Sequence, residues 1–173
     1  MHSSINNLTT IEEQIKSRVN QLSNPQIIAV SKTFPMSEIK PLINHGHIHF
    51  GENKVQEAQA KWQTVKKINK DLKLHMVGKL QSNKVKQALE IFDYIHSLDN
   101  QKLADILKKN EINFNKKLKY FIQVNLGNEI QKSGIRVNEL DEFYNYCVNE
   151  NNLNVIGLMV LPPNDNKQNL YFK

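Results

Sequence analysis

The sequence has few cysteines and no long apolar run, and each shortage excludes a class of protein. Its one cysteine, Cys147, leaves no internal disulfide framework and fits a protein of the reducing cytoplasm. The longest apolar stretches, at 26–30 and 155–161, span only a few residues, so no membrane helix and no membrane partner is predicted. The N-terminus lacks the basic and apolar regions of a secretory signal. We therefore expect a soluble cytoplasmic protein.

Arginine is also scarce. The positive net charge suggests that the protein binds nucleic acid, but the shortage of arginine weakens that interpretation. The formal net charge is +6 and the pI is about 9.3. However, 21 of the 23 basic residues are lysines, and only Arg18 and Arg136 carry the guanidinium fork that reads phosphates and bases. The lysines are scattered beside acids along predicted helices. No nucleic-acid partner is predicted, although a lysine-mediated RNA contact stays open as an alternative.

Hydrophobic periodicity predicts six strands that alternate with amphipathic helices along one domain of 173 residues. The strands are predicted at 26–31, 47–50, 74–78, 94–97, 120–125 and 155–161. The first has no polar alternation, which is typical of a strand buried on both faces. Between the first two strands a short helix is predicted to end at Gly46. Strands that alternate with helices predict a parallel sheet with helical crossovers.

Two parallel architectures fit this alternation: a doubly wound open sheet and a (β/α) barrel. No strand is followed by the Gly-x-Gly-x-x-Gly turn or the P-loop of the common open-sheet nucleotide folds. Polar residues instead follow strand after strand, which is where barrel enzymes assemble their sites. These residues are Lys32, Glu52, Asn53, Gln81, Asn83, Asp99 and Asn125. The pattern favours the barrel.

Lys32 is the first candidate for chemistry, because it directly follows a buried-type strand in Ala29-Val30-Ser31-Lys32-Thr33. Its amine is expected at the mouth of the barrel. A mouth with low-dielectric walls favours the neutral amine, which forms a Schiff base with an aldehyde. An ordinary surface lysine at a strand end is the alternative, and the residues alone leave both interpretations open.

The other candidates each have a structural alternative. Glu52 or Asn53 is expected to cap the helix that follows, although Asn53 also offers an amide to a ligand. His75 lies within a strand, where a histidine is usually a satisfied core group. The alternating residues His45, His47 and His49 share one face if they lie on a strand, but no cysteine or nearby carboxylate completes a metal set. No metal site is predicted, and Cys147 is expected in the core.

Several segments are more specific together than singly. They are Ala-Val-Ser-Lys-Thr at 29–33, Phe-Gly-Glu-Asn-Lys-Val-Gln-Glu at 50–57, His-Met-Val-Gly-Lys-Leu-Gln-Ser-Asn-Lys at 75–84, Val124-Asn125 with Glu129, Lys132, Ser133 and Gly134, and Gly157-Leu158-Met159. The series closely resembles the pyridoxal phosphate homeostasis protein family, single-domain relatives of the N-terminal barrel of alanine racemase. The resemblance covers roughly residues 10–173.

The resemblance implies a (β/α)8 TIM-type barrel that holds pyridoxal 5'-phosphate (PLP) as its cofactor. By this likeness Lys32 is the Schiff-base residue, and Asn53 approaches the cofactor from the second strand. His75 and Met159 line the mouth near the ring, and Gly157 lets the sixth strand come close. The family is regarded as a carrier and regulator of PLP without an established turnover reaction. Apo PLP-dependent enzymes are the expected recipients, and the full-length protein is expected to be a monomer.

The main competing hypothesis is a PLP-dependent, racemase-like enzyme on the same barrel. Racemisation needs a base on each face of the cofactor, and the resemblance places one of these on a separate β domain of alanine racemase. The carrier hypothesis predicts that borohydride traps the cofactor on Lys32, whereas the enzyme hypothesis predicts loss of α-deuterium from an amino acid. The RNA-binding alternative predicts salt-sensitive binding and no visible imine absorbance.

The last expectation concerns the length of the chain. A closed barrel of this family needs eight strands, and six are predicted before Lys173. The resemblance places the phosphate grip and a ring-nitrogen arginine on strands seven and eight. We therefore expect a chain truncated after the sixth strand, with unpaired edges on the first and sixth strands and weak cofactor binding.

Overall fold

The alternation of strands and helices is present in the computed structural model, which describes residues 2–18, 25–127 and 133–162. The strands are β1 (Ala29–Val30), β2 (His49–Glu52), β3 (Lys73–Met76), β4 (Tyr94–Leu98), β5 (Lys119–Val124) and β6 (Val155–Val160). The helices are α1 (Ser3–Arg18), α2 (Met36–Asn44), α3 (Val55–Ile68), α4 (Val85–Ile91), α5 (Gln101–Phe114) and α6 (Leu140–Asn145). Short 3-10 turns precede α4 and α6, and a π-helical turn, Tyr146–Glu150, continues α6.

The six strands form one parallel sheet in the order β1-β2-β3-β4-β5-β6. Every crossover therefore moves one strand further in the same direction. Because such crossovers are right-handed, this order places all the helices on one face of the sheet. A doubly wound sheet reverses its strand order part-way and carries helices on both faces. The order of a barrel, which the polar strand ends predicted, is thus confirmed.

The helix-facing side of the sheet, called here the outer face, holds the core. Phe50 packs its ring on Trp62 of α3, with centroids 4.8 Å apart, and both side chains are fully buried. The strand register carries this face across the sheet, since Phe50 pairs with Leu74 and Met76 pairs with Ile95. Apolar residues thus occupy alternate positions of the central strands and meet the apolar stripes of the helices.

The opposite side, called the inner face, carries aromatic and polar side chains instead. It is formed by the alternate positions His49, His75, His96, Phe121 and Gln123. In a barrel this face lines the interior, and its upper rim is where ligand sites form. The inner face therefore leads towards the candidate site.

Two expectations about the strands are wrong. The first strand is not buried on both faces: only Ala29–Val30 pairs with β2, and Val30 is 47% exposed at the edge of the described sheet. The second strand begins at His49 because α2 ends in a Schellman cap, in which the amides of Gly46 and His47 donate to the carbonyls of Ile43 and Leu42.

The cap at Gly46 also changes the prediction for the three alternating histidines. Gly46 has φ 93°, so it adopts the left-handed conformation that ends α2 as predicted. His45 follows the last residue of α2, His47 lies in the connection, and His49 begins β2. The three histidines therefore do not share one strand face. Within the described ranges, no helix combines the length and apolar character needed to cross a bilayer.

Candidate functional site

The carboxyl ends of five strands enclose a cavity of about 350 Å³. Its lining residues come from the segments that directly follow β1, β2 and β3, from the ends of β5 and β6, and from the connection after β5. They are Lys32, Asn53, Val77, Gly78, Lys79, Gln123, Val124, Asn125, Ser133, Met159 and Leu161. A volume above about 300 Å³ is the size range of small-molecule sites. We call this space the Lys32 cavity.

Lys32 enters the cavity from a turn at the edge of the sheet. The amide of Phe34 donates to the carbonyl of Ser31 at 3.2 Å, which closes a turn around Lys32 and Thr33. Thr33 has φ 66°, a left-handed conformation that is strained for a β-branched residue. Lys32 is exposed, so its amine is accessible to a ligand in the cavity.

Asn53 lies beside Lys32 in the cavity, and its backbone is in close contact with the next strand end. The amide of Val77 donates to the carbonyl of Glu52 at 3.0 Å, which extends the pairing of β2 with β3. A Cβ added to Gly78 would lie 2.5 Å from the Asn53 carbonyl oxygen. Only glycine allows this approach, so Gly78 fixes the position of Asn53 at the cavity wall.

The last two strands supply the opposite wall. Gln123 of β5 pairs in register with Met159 of β6, and both side chains line the cavity. Gln123 also donates from Nε2 to the Ser133 carbonyl at 3.2 Å. Gly134 has φ 120°, and a Cβ there would lie 2.8 Å from the Asn125 amide nitrogen. This glycine therefore allows the chain to return against the end of β5.

Of the five predicted site residues, three line the Lys32 cavity and two lie below it on the inner face. Lys32, Asn53 and Met159 line the cavity together. Gly157 lies one inner-face position below Met159, where a Cβ would meet the Phe121 ring at 3.2 Å. His75 lies two residues before Val77 and is 3% exposed. Neither Gly157 nor His75 is among the described cavity-lining residues, and all five binding roles stay predictions.

His75 is the middle member of a chain of three histidines on the inner face. Its Nε2 lies 2.9 Å from Nδ1 of His49, and its Nδ1 lies 2.9 Å from Nε2 of His96. Its ring stacks on Tyr94 with centroids 4.1 Å apart. Burial lowers the pKa of His75 to about 3 and that of His96 to about 4, so both rings are neutral at physiological pH.

The predicted helix cap at Glu52 or Asn53 is wrong. The N-cap residue of α3 is Lys54, and no side-chain hydrogen bond caps this helix. Because Glu52 belongs to β2 and lies on the outer face, its carboxylate is directed away from the first turn of α3 and is fully buried. Glu129 and Lys132, which belong to the fourth motif, lie outside the described residues.

The sequence comparisons show the family of this chain. The profile of the family described as alanine racemase, N-terminal domain, matches residues 6–171. The chain belongs to this family. Over 160 residues it is 38% identical to the pyridoxal phosphate homeostasis protein of Pasteurella multocida, a match that covers 90% of this chain and 69% of that protein. The chain thus lies among the homeostasis-protein members of the alanine racemase N-terminal family.

Solved structures of the family superpose on the described fold. PipY of Synechococcus elongatus, solved with PLP bound, gives a TM-score of 0.76 at 34% identity, over 89% of this chain and 70% of PipY. Alanine racemase of Clostridium difficile gives a TM-score of 0.69 at 13% identity, over 96% of this chain and 43% of the racemase. The second likeness shows the shared barrel-type fold alone.

Sequence reasoning missed several residues of the site. Lys79 and Gln123 line the cavity; the available signal was that Lys79 directly follows the predicted strand 74–78 and that Gln123 lies two residues before the end of the predicted strand 120–125. The buried network of Glu52 was also missed, because a glutamate between Gly51 and Asn53 has the sequence context of a helix cap. Among the described residues, no group of three or more His, Cys, Asp or Glu side chains is arranged to hold a metal ion.

Proposed function

We propose that this protein binds PLP in the Lys32 cavity and keeps the cofactor available in the cytoplasm, as a carrier and regulator. The observation that carries the proposal is the convergence on one cavity of Lys32 and Asn53, which follow separate strands, and of Met159, which the family resemblance named. The names of the relatives support it: the Pasteurella relative is called a pyridoxal phosphate homeostasis protein, and PipY was solved with PLP bound.

The residues of the cavity fit the chemistry of PLP. The amine of Lys79 supplies a positive charge for an anionic ligand, and the amine of Lys32 supplies a nucleophile for its aldehyde. Val77 and Met159 offer apolar surface to a flat aromatic ring, and Asn53 offers an amide to its polar substituents. When bound, the group supplies an aldehyde that a primary amine attacks reversibly.

Lys32 carries the covalent step of the proposal. Its neutral amine adds to the aldehyde carbon, a C=N bond forms, and the aldehyde oxygen leaves as water. Hydrolysis reverses the step and regenerates the free amine and the free aldehyde. The exposure of Lys32 suits such an exchange, because water and acceptor amines reach the turn that carries it.

The composition of the cavity favours holding over turnover. Racemisation needs a proton-transfer group on each face of the cofactor. Among the described residues that line the cavity, the ionisable side chains are the two amines of Lys32 and Lys79. The histidine chain lies below, with His75 buried and held neutral. We therefore propose a carrier and not a racemase; apo PLP-dependent enzymes as recipients and a monomeric full-length protein stay part of the proposal.

Reduction with borohydride tests the site directly. The protein is loaded with PLP, reduced, digested and examined by mass spectrometry. We expect the added mass on the peptide that contains Lys32, and we expect the visible absorbance of the complex to be absent in Lys32→Ala. A loaded protein in which reduction labels other lysines but not Lys32 would overturn the proposal.

Lys79→Ala is the matched control, since it removes the other amine of the cavity. It should keep the reducible label on Lys32 and bind PLP more weakly. The parent protein, Lys32→Ala and Lys79→Ala are then each incubated, at high protein concentration, with α-deuterated alanine. Retention of the deuterium supports the carrier, whereas loss that requires both Lys32 and Lys79 would establish the racemase-like alternative, with the two amines as its acid–base pair.

A further inference from the structure

A buried carboxylate lies directly behind the Lys32 cavity, on the outer face of the sheet. Glu52 is fully buried, and its Oε1 accepts three hydrogen bonds. The donors are Ser31 Oγ at 2.8 Å, Lys61 Nζ at 2.9 Å and Trp62 Nε1 at 2.9 Å. These four residues are called the Glu52 network. A buried carboxylate with a paired lysine is costly to disrupt, because removal of either partner leaves an uncompensated charge.

Every hydrogen-bonding group of Ser31, the residue before Lys32, has a partner, and two of these partners belong to the Glu52 network. The Ser31 amide donates to the Gly51 carbonyl at 2.9 Å, and its hydroxyl donates to Glu52. Its carbonyl accepts from Lys61 Nζ at 2.8 Å and from the Phe34 amide at 3.2 Å. The second of these bonds closes the turn that carries Lys32. Ser31 is therefore fixed on β2 and on α3 at once.

This fixation matters because little else holds the end of β1. The ladder between β1 and β2 joins only two residue pairs and ends at Val30. Immediately afterwards the chain makes the turn with Thr33 at φ 66°. A strained conformation persists only where the surrounding structure determines it. The contacts of Ser31 with Glu52 and Lys61 supply that constraint one residue before Lys32.

Glu52 acts on the second cavity residue through its own backbone. Its carbonyl accepts from the Val77 amide at 3.0 Å, and Asn53 follows directly in the chain. Asn53 is enclosed on the other side by the close approach of Gly78. Because Asn53 is the next residue in the chain, any displacement of the Glu52 backbone also displaces Asn53.

We propose that Glu52 is a positioning residue that sets Lys32 and Asn53 in register with each other from the far side of the sheet. Its carboxylate fixes Ser31 and hence the Lys32 turn, while its backbone fixes Asn53. Lys61 balances its charge and fastens the turn to α3. This inference rests on the proposed function for its consequence, but the geometry of Lys32 is testable without the cofactor.

Glu52→Gln tests the inference, because it keeps the size of the side chain and removes the charge that Lys61 pairs with. We expect PLP affinity to fall about tenfold, since small displacements of a reacting group are costly. In the cofactor-free protein, competitive acetylation followed by mass spectrometry reports the reactivity of Lys32 relative to exposed Lys40. We expect that ratio to change by about threefold or more.

Asp93→Asn is the matched control. Asp93 pairs with Lys66 and accepts from the Leu74 amide at 2.8 Å, so it has similar partners, but it lies before β4 at the opposite end of the sheet. It should lower the melting temperature without altering PLP affinity or the acetylation ratio of Lys32. If Glu52→Gln does the same, Glu52 is only structural and the inference is overturned.

Three further variants keep the test decisive if Glu52→Gln folds poorly. Ser31→Ala removes one donor and leaves the ion pair, so a smaller change in the same direction is expected. Lys61→Arg keeps the charge and should retain most of the affinity that Lys61→Met loses. If the parent protein takes up no PLP on Lys32, the proposed function fails, and the acetylation ratio alone then decides whether Glu52 positions Lys32.

Discussion

Apart from the Glu52 network on the outer face, the two faces of this sheet are built from opposite kinds of side chain. On the outer face, Phe50, Leu74 and Tyr120 are fully buried against the helices. On the inner face, His75 and His96 are almost as deeply buried, yet they carry nitrogen atoms that need hydrogen-bond partners. The outer face is stable wherever apolar surfaces meet, whereas the inner face is stable only in the register that joins its rings. Packing thus sets the fold, and polar pairing makes its interior specific.

The largest loss of stability is expected when a buried side chain of the outer face is truncated. Leu74→Ala removes a fully buried side chain from a central strand, and a cavity of this kind costs about 2–5 kcal/mol of unfolding free energy. Ile112→Ala is the control, because Ile112 is 69% exposed on α5, and we expect it to change stability by less than about 0.5 kcal/mol. Urea unfolding measures both. Equal effects would contradict the assignment of the core to this face.

The outer face was predictable because its signal is local. Apolar residues in short runs mark the strands, and stripes such as Ala58, Trp62 and Val65 mark the helical surfaces that cover them. The strand ends were harder to predict, since they depend on caps and turns. The Schellman cap of α2 moved the start of β2 to His49, and no periodicity signals that shift.

The next effect is expected from the inner face in mild acid. An unfolded histidine titrates near 6.5, whereas burial lowers the pKa of His75 to about 3 and that of His96 to about 4. At a pH between the folded and unfolded pKa values, the unfolded chain binds more protons than the folded chain. The stability that comes from keeping the two rings neutral is therefore complete above about pH 6.5 and is lost as the pH falls towards 4. We expect a loss of about 2 kcal/mol from pH 7 to pH 5.5.

Two variants show whether the histidine chain causes this loss. His96→Gln should roughly halve the loss in unfolding free energy, because one of the two buried rings no longer titrates. His45→Gln changes an exposed histidine and should leave the pH dependence as in the parent. Urea unfolding at several pH values gives the slopes. A slope that is the same in all three proteins would show that the inner face does not control acid stability.

Some residues of the candidate site could be predicted from the sequence, and others could not. The positions of Lys32 and Asn53 were predictable, because residues after parallel strands meet at one edge of the sheet, whereas Met159 was predicted only through the family resemblance. The contacts His49–His75 and His75–His96 join residues 26 and 21 positions apart. Only the strand register brings them together, so no short motif contains them.

The smallest effect is expected at Gly157, where a side chain would contact the inner-face ring of Phe121. A Cβ there would lie 3.2 Å from the Phe121 ring, which stacks on His96 with centroids 4.3 Å apart. Gly157→Ala restricts the unfolded chain, a gain of about 0.4–1 kcal/mol, but overpacking costs about 1–3 kcal/mol, so we expect a net loss of about 1 kcal/mol. In a Phe121→Leu background the methyl group has room, and the substitution should become neutral or stabilising. A double-mutant cycle measures this coupling. The same loss in both backgrounds would show that the Phe121 ring does not limit the size of residue 157. The inner face would then be less specifically packed than its stacked rings indicate.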